Sequence, residues 1–219
     1  MLVVMCGLPA TGKTTVAEAL AKEIKALVLR TDLIRREIFK KGKLEEVLNS
    51  REPLTYDLQR IFNFLPKIPE EYQKLIWKQN EIVYEELLSR TKILLGQGKN
   101  IILDGTFSKK ALRSKVYEIA KACHENVYLI YCTCNEEIIE KRLMSRKKDK
   151  ERVSNVTKLD IYYKVKANFE DPSKDNVLIV HYDSGRNKIE VWNKDLGDEK
   201  EIKLIIDTIS KVELFFKTK

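Results

Sequence analysis

The chain has 219 residues, of which 43% are hydrophobic and 34% charged, and a formal net charge of +8. That length suits one α/β domain with an insertion, or at most two small domains. No apolar run reaches membrane-spanning length, which excludes a helical membrane protein, and the basic balance favours an anionic ligand. The four cysteines, Cys6, Cys123, Cys132 and Cys134, read as reduced thiols. With the first strand starting at residue 2, no cleaved signal and a cytoplasmic location are expected. Without a tight Cys-x-x-Cys pair, a metal site built on these cysteines and His124 is not expected.

In chain order, Leu2 to Cys6 is a short apolar run, as a buried parallel strand should be. Gly7-Leu8-Pro9-Ala10-Thr11-Gly12-Lys13-Thr14-Thr15 follows, with the spacing of a phosphate-binding loop. Gly7 and Gly12 allow a close approach of backbone to phosphate, and the loop's N–H groups wrap the anion. Lys13 reaches the β- and γ-phosphates, and the Thr14 hydroxyl suits Mg²⁺. Val16, Leu20 and Ile24 then recur at helical spacing.

Ala26 to Arg30 reads as a second strand, and Thr31-Asp32 opens a helix that runs toward Phe39 and stops at Gly42. Residues 43–80 are the least regular part, cut by Pro53, Pro66 and Pro69, and read as a helical insertion. Ile76, Val83, Leu87 and Leu94 line one face of a long helix that ends at Gly96-Gln97-Gly98. Ile101 to Leu103 is a third strand ending at Asp104, and Ser108 is expected to cap the next helix. Val127 to Cys132, Glu136 to Ser145 and Val177 to His181 read as strand, helix and strand. Residues 186–219 give an edge strand at Ile189 to Trp192 and a closing helix from Ile202 to Phe216.

Strands alternating with helices predict a three-layer αβα sandwich on a parallel sheet, with ligands at the carboxyl ends of the strands. That places Gly7 to Thr15, Thr31-Asp32, Asp104-Gly105-Thr106, Thr133 to Glu136 and Tyr182 to Arg186 around one crevice. A guanine-nucleotide switch would need Asp-x-x-Gly after the third strand, but Gly105 directly follows Asp104. A dinucleotide enzyme would need Gly-x-Gly-x-x-Gly in the first turn, which is absent.

A kinase needs an acidic group beside Mg²⁺, a base for the acceptor hydroxyl, cations for the developing charge and a way to exclude water. Asp104 fits the first role, or a turn. Asp32 fits the base, or an N-cap. Arg35, one turn on, fits an anionic acceptor, or an exposed helix face. Arg142 and Arg146 share a helix face ahead of a basic stretch at 147–157 that reads as a lid, with a solvated face as the plain alternative.

Gly7-x₄-Gly12-Lys13-Thr14, Asp32-x-x-Arg35, Asp104-Gly105-Thr106 and Arg142-x₃-Arg146, in this order, resemble the small P-loop kinases related to phage polynucleotide 5′-kinase and to zeta-toxin-type kinases. Asn168-Phe169-Glu170-Asp171-Pro172 resembles the segment before the fifth strand in this group, archaeal seryl-tRNA kinases included. The resemblance spans about residues 1–185, weakly at 43–80. It implies a five-stranded parallel sheet ordered 2-3-1-4-5 and ATP and Mg²⁺ as cofactors. It also implies Asp32 as general base, Arg35 on acceptor phosphate, and adenine near Ser184 to Arg186. Thr106 is placed with Asp32 and Arg35 on the acceptor side. The expected function is ATP-dependent transfer of the γ-phosphate to a hydroxyl, with RNA or DNA as one acceptor class and a small metabolite or nucleotide as the other. Phe62, Phe64, Tyr72 and Trp77 in the insertion offer rings for base stacking, or core. A non-catalytic ATP- or RNA-binding module is the reading from a different class.

Overall fold

A computed structural model describes residues 1–65, 67–146 and 159–217. A six-stranded sheet runs in the order β2-β3-β1-β4-β5-β6. Its strands are β1 (Leu2–Cys6), β2 (Leu27–Arg30), β3 (Ile101–Asp104), β4 (Val127–Thr133), β5 (Leu178–Asp183) and β6 (Lys188–Trp192). The first five are parallel in the expected order, and β6 closes the edge antiparallel to β5. In β1, Leu2 pairs with Ile101 on one side and Val127 on the other, which makes it a central strand. Its five residues are all buried, so a continuous apolar run is what its position requires.

Alternate residues of each strand serve opposite faces. Val3, Met5, Ile102, Tyr128 and Ile130 face one core, covered by Val16, Ala17 and Leu20 of α1 (Lys13–Glu23) and by Ile205 and Ile209 of α9 (Glu199–Lys217). Leu2, Val4, Leu103 and Leu129 face the other. That side is covered by Val83 and Leu87 of α5 (Glu70–Gly96) and by Val116 and Ala120 of α6 (Lys110–Ala122). The result is the expected three-layer arrangement.

The 43–80 region holds α3 (Leu44–Leu48), α4 (Leu58–Ile61) and the first part of α5. A small core of Val47, Leu58 and Phe62 sits there, with Tyr72, Leu75 and Ile76 against it. The Phe62 and Tyr72 rings lie 4.5 Å apart, so these two aromatics serve packing, whereas Trp77 is 58% exposed. Of Phe64 only the backbone is described.

Three local expectations change. The helix α2 (Thr31–Ile38) stops at Ile38, where Phe39 turns extended, rather than at Gly42. The N-cap of α6 is Lys109, not Ser108, and the carboxylate of distant Glu170 accepts from Lys110 N at 2.6 Å. A helix that the periodicity did not flag, α8 (Leu159–Ala167), lies after the lid stretch. Residues 147–157, read as a lid, lie outside the described residues. Among the described residues no helix is long and apolar enough to cross a membrane.

Candidate active site

The phosphate loop links β1 to α1 at the carboxyl edge of the sheet. Its shape depends on residues that carry no side chain, or a small one. Gly7 has φ +139, and a Cβ there would meet the Cys132 carbonyl oxygen at 2.2 Å. Gly12, φ +97, caps α1 from the left-handed region, and Ala10 sits at φ 66. Gly7 N donates to Thr106 O at 3.2 Å, fixing the loop to the segment after β3. Inside the loop, Thr11 Oγ1 and Lys13 Nζ both donate to Leu8 O, at 2.8 and 2.7 Å. Pro9 and Thr11 are buried, and Thr14 and Thr15 lie half-buried in the first turn of α1.

Asp104, the last residue of β3, is 7% exposed. Thr14 Oγ1 donates to its Oδ2 at 2.7 Å, and Arg30 Nε lies 3.5 Å from the same oxygen. A hydroxyl and a carboxylate side by side, both oxygen donors, fit the ligand set of a hard divalent cation such as Mg²⁺. Thr31 Oγ1 reaches the Asp104 carbonyl at 3.4 Å, so β2 and β3 are tied at the crevice floor.

Asp32 lies in the first turn of α2, half-buried. Burial, and then the Asp104 carboxylate, push its pKa from 3.8 up to about 6, while Arg35, Arg30 and Arg36 pull the other way. A carboxylate with that value ionises below neutral pH yet keeps real proton affinity, which suits a general base.

Arg35 is 3% exposed, which sets aside the exposed helix face that was its plain alternative. Its Nη1 donates to Gln79 Oε1 at 3.2 Å and its Nη2 to Asn80 Oδ1, both on α5. Arg142, on α7 (Glu136–Arg146), donates from Nη1 to Ala10 O and to Ser184 Oγ, each at 3.0 Å. It therefore bridges the phosphate loop to the loop after β5. Arg146 ends α7 with its side chain outside the described set. Arg186 follows a turn in which Gly185 N and Arg186 N donate to Asp183 Oδ1, and its side chain is 81% exposed.

Three features of the site carry no sequence motif. Arg30 adds a cation beside Asp104, legible only as the last residue of β2. The Tyr84 hydroxyl accepts from Phe107 N at 3.3 Å and faces Gly105, where a Cβ would meet it at 3.3 Å. Arg113, fully buried, makes a two-pronged pair with Asp175 at 2.6 and 3.1 Å and donates to Phe107 O and Glu170 O. That network holds the Gly105-Thr106-Phe107 segment, at whose end Phe107 takes φ 46, against the Asn168–Pro172 segment. Cys6 and Cys132, buried beneath the loop, have thiols pushed up to about 12 by burial and stay uncharged.

Known proteins share the sequence pattern and the fold. The chain is 27% identical over 146 residues to a Mycobacterium tuberculosis protein named as uncharacterized, an alignment covering 66% of the chain and 25% of that relative. The chain thus spans about a quarter of the length of its mycobacterial relatives. It is 23% identical to the L-seryl-tRNA(Sec) kinase of Methanococcus maripaludis, over 97% of the chain and 72% of the relative. Among solved structures, Chaetomium thermophilum Kti12 in complex with ADP-AlF3 superposes with a TM-score of 0.53 at 16% identity, covering 97% of this chain and 98% of that one. Residues 2–172 match the family described as AAA domain (AAA_33). With a phosphate loop on a 2-3-1-4-5 parallel core and a match over most of its length, the chain belongs to this family of P-loop kinases.

Proposed function

We propose that the chain is an ATP- and Mg²⁺-dependent kinase that transfers the γ-phosphate to an acceptor hydroxyl. The observation that carries this reading is Asp104 at the end of β3, whose carboxylate accepts from the Thr14 hydroxyl at 2.7 Å and whose carbonyl lies 3.4 Å from the hydroxyl of Thr31, the residue before Asp32. A base for the acceptor and a metal-side carboxylate thus meet at the end of the phosphate loop. The loop amides and Lys13 hold the phosphates, and Thr14, with Asp104 beside it, would hold Mg²⁺. The ion, when bound there, would supply positive charge against the triphosphate. Asp32 takes the acceptor proton, and Arg142 and Arg146 counter the charge that develops on the transferred group. Arg186 flanks the base of the nucleotide. Thr106 faces the acceptor from the β3 side.

For the acceptor we favour a hydroxyl on a nucleic acid. The net charge of +8 and the near full-length similarity to a seryl-tRNA kinase support this. With Phe62 and Tyr72 packed together, Trp77 is the described aromatic of the insertion with most of its surface open to a base. Transfer of ³²P from γ-labelled ATP into total tRNA, set against a pool of small hydroxylated metabolites, tests the reading. A nucleic-acid acceptor predicts labelled RNA and a KM that climbs steeply between 50 and 200 mM salt, following counterion release. Label in the metabolite pool with a salt-insensitive KM would replace it with a small-molecule acceptor.

A further inference from the structure

Arg35 stands one turn from the base, in the position that the resemblance assigns to acceptor phosphate. Its surroundings describe a different task. The guanidinium donates to Gln79 and Asn80 on α5, lies over the Phe39 ring at 5.8 Å, and leaves 3% of the residue exposed. Gln79 is itself fully buried, and its amide donates onward to Leu54 O at 3.0 Å and to Tyr56 O at 2.5 Å. Leu54 and Tyr56 belong to the insertion. Beside them, Lys40 N donates to Thr55 O and Asp57 N to Lys40 O, at 2.8 and 2.9 Å, pinning the insertion to the end of α2. The buried Asp57 carboxylate caps α4 through Oδ1, while Oδ2 has no hydrogen-bond partner among the described residues. A buried amide–guanidinium chain of this kind is costly to leave half-made, so it is formed as a unit.

We propose that Arg35 is a positioning residue that locks the helix of Asp32 to α5 and, through Gln79, to the 43–80 insertion, so that the acceptor hydroxyl is read without a phosphate contact from Arg35. The inference rests on the kinase reading for its consequence, because it takes Arg35 out of the contacts that read the acceptor. Its geometry stands apart from that reading. Charge gives it a second consequence. Asp32 is faced by Asp104 from β3, by Arg30 from β2, by Arg35 and Arg36 from its own helix and by Tyr84 from α5. Asp57 of the insertion faces Arg35 as well, so one guanidinium serves the base and the insertion together.

The test is run on the whole chain, without an acceptor. The Asp32 carboxyl is titrated by ¹³C NMR, and amide hydrogen exchange is followed at Lys40, Thr55, Tyr56 and Asp57. Arg35→Met should move the Asp32 midpoint upward by about one pH unit, because an attractive charge is lost. It should also speed exchange at the four amides at least tenfold. Arg35→Lys keeps the charge but not the fork, so its midpoint should stay near that of the wild type while exchange still quickens. Gln79→Leu, which leaves Arg35 intact, should quicken the same amides. Adenosine 3′-phosphate serves as a phosphate-bearing probe, and Arg35→Met should not change its affinity by more than twofold. If Arg35→Met leaves midpoint and exchange unchanged, or weakens probe binding tenfold while exchange is unaltered, the proposal is overturned. Absence of phosphoryl transfer by the wild type would count against the kinase reading alone, since none of these readouts requires turnover.

Discussion

The Thr14 hydroxyl donates to the Asp104 carboxylate over 2.7 Å, joining the phosphate loop to the end of the third strand. The two residues are 90 positions apart, and parallel pairing of β1 with β3, Met5 opposite Asp104, brings them together. With Thr14 and Asp104 on the metal side as proposed, a metal-dependent defect is expected. Asp104→Asn should raise the Mg²⁺ concentration for half-maximal ATP turnover by about 10–100-fold, with little change in folding. Turnover measured across a Mg²⁺ series, with circular dichroism as the folding control, checks this.

Asp32 joins activity to stability through its raised pKa. The carboxyl titrates at about 6 in the folded chain against 3.8 in the reference state. The folded state therefore binds its proton more tightly, and stability from this group is full below pH 3.8 and lost as pH rises through about 6. At pH 7 the charged Asp32 weakens the fold by about 1–3 kcal/mol. Asp32→Asn should recover that amount in urea unfolding at pH 7 and gain nothing near pH 3.5, while its turnover collapses. In the wild type, turnover should rise with pH through about 6, as the base ionises.

Two glycines give opposite outcomes for the same change. Gly7→Ala puts a Cβ 2.2 Å from the Cys132 carbonyl at φ +139, and should cost about 3 kcal/mol or prevent folding. Gly96→Ala, at the end of α5 with nothing among the described residues within 4 Å of the added carbon, should stabilise by about 0.5–1 kcal/mol. Thermal unfolding of the two variants beside the wild type reads both.

What was legible in the sequence followed from local pattern. Gly7, Gly12, Lys13 and Thr14 fix a loop whose geometry depends on near neighbours, and β1, β3 and β4 are apolar because both faces are covered. Asp104 ends β3 and Asp32 follows the end of β2, so both lie at the carboxyl edge where such folds bind ligands. Long-range polar partners were not legible. Lys110 N is capped by Glu170, 60 residues on, which no local signal at Ser108 could foretell. Arg35 reads as an exposed cation until Gln79 and Asn80 are brought against it, 44 and 45 positions away. Nine-residue α8 carries one fully buried side chain, Tyr162, too little apolar face for its periodicity to stand out.

Arg113 and Asp175 illustrate the same point energetically. Both are buried, at 0% and 2% exposed side chain, and Tyr117 donates a further bond to Asp175 at 2.8 Å. Removing one partner strands the other charge in the core. Asp175→Ala should cost about 3–5 kcal/mol. Because Arg113 also holds Phe107 O, the defect should spread to the Gly105–Phe107 segment, visible as faster amide exchange at Phe107 than at Val83.

Single-turnover transfer of ³²P from γ-labelled ATP to the acceptor fraction reads out the proposed transfer to a hydroxyl with Asp32 as its base. Wild type, Lys13→Ala and Asp32→Asn are compared, with ATP binding measured alongside. Lys13→Ala should lose tight nucleotide binding, whereas Asp32→Asn should bind ATP as the wild type does and transfer about 10²–10⁴-fold more slowly. Acceptor-dependent transfer by Asp32→Asn at the wild-type rate would contradict Asp32 as the base.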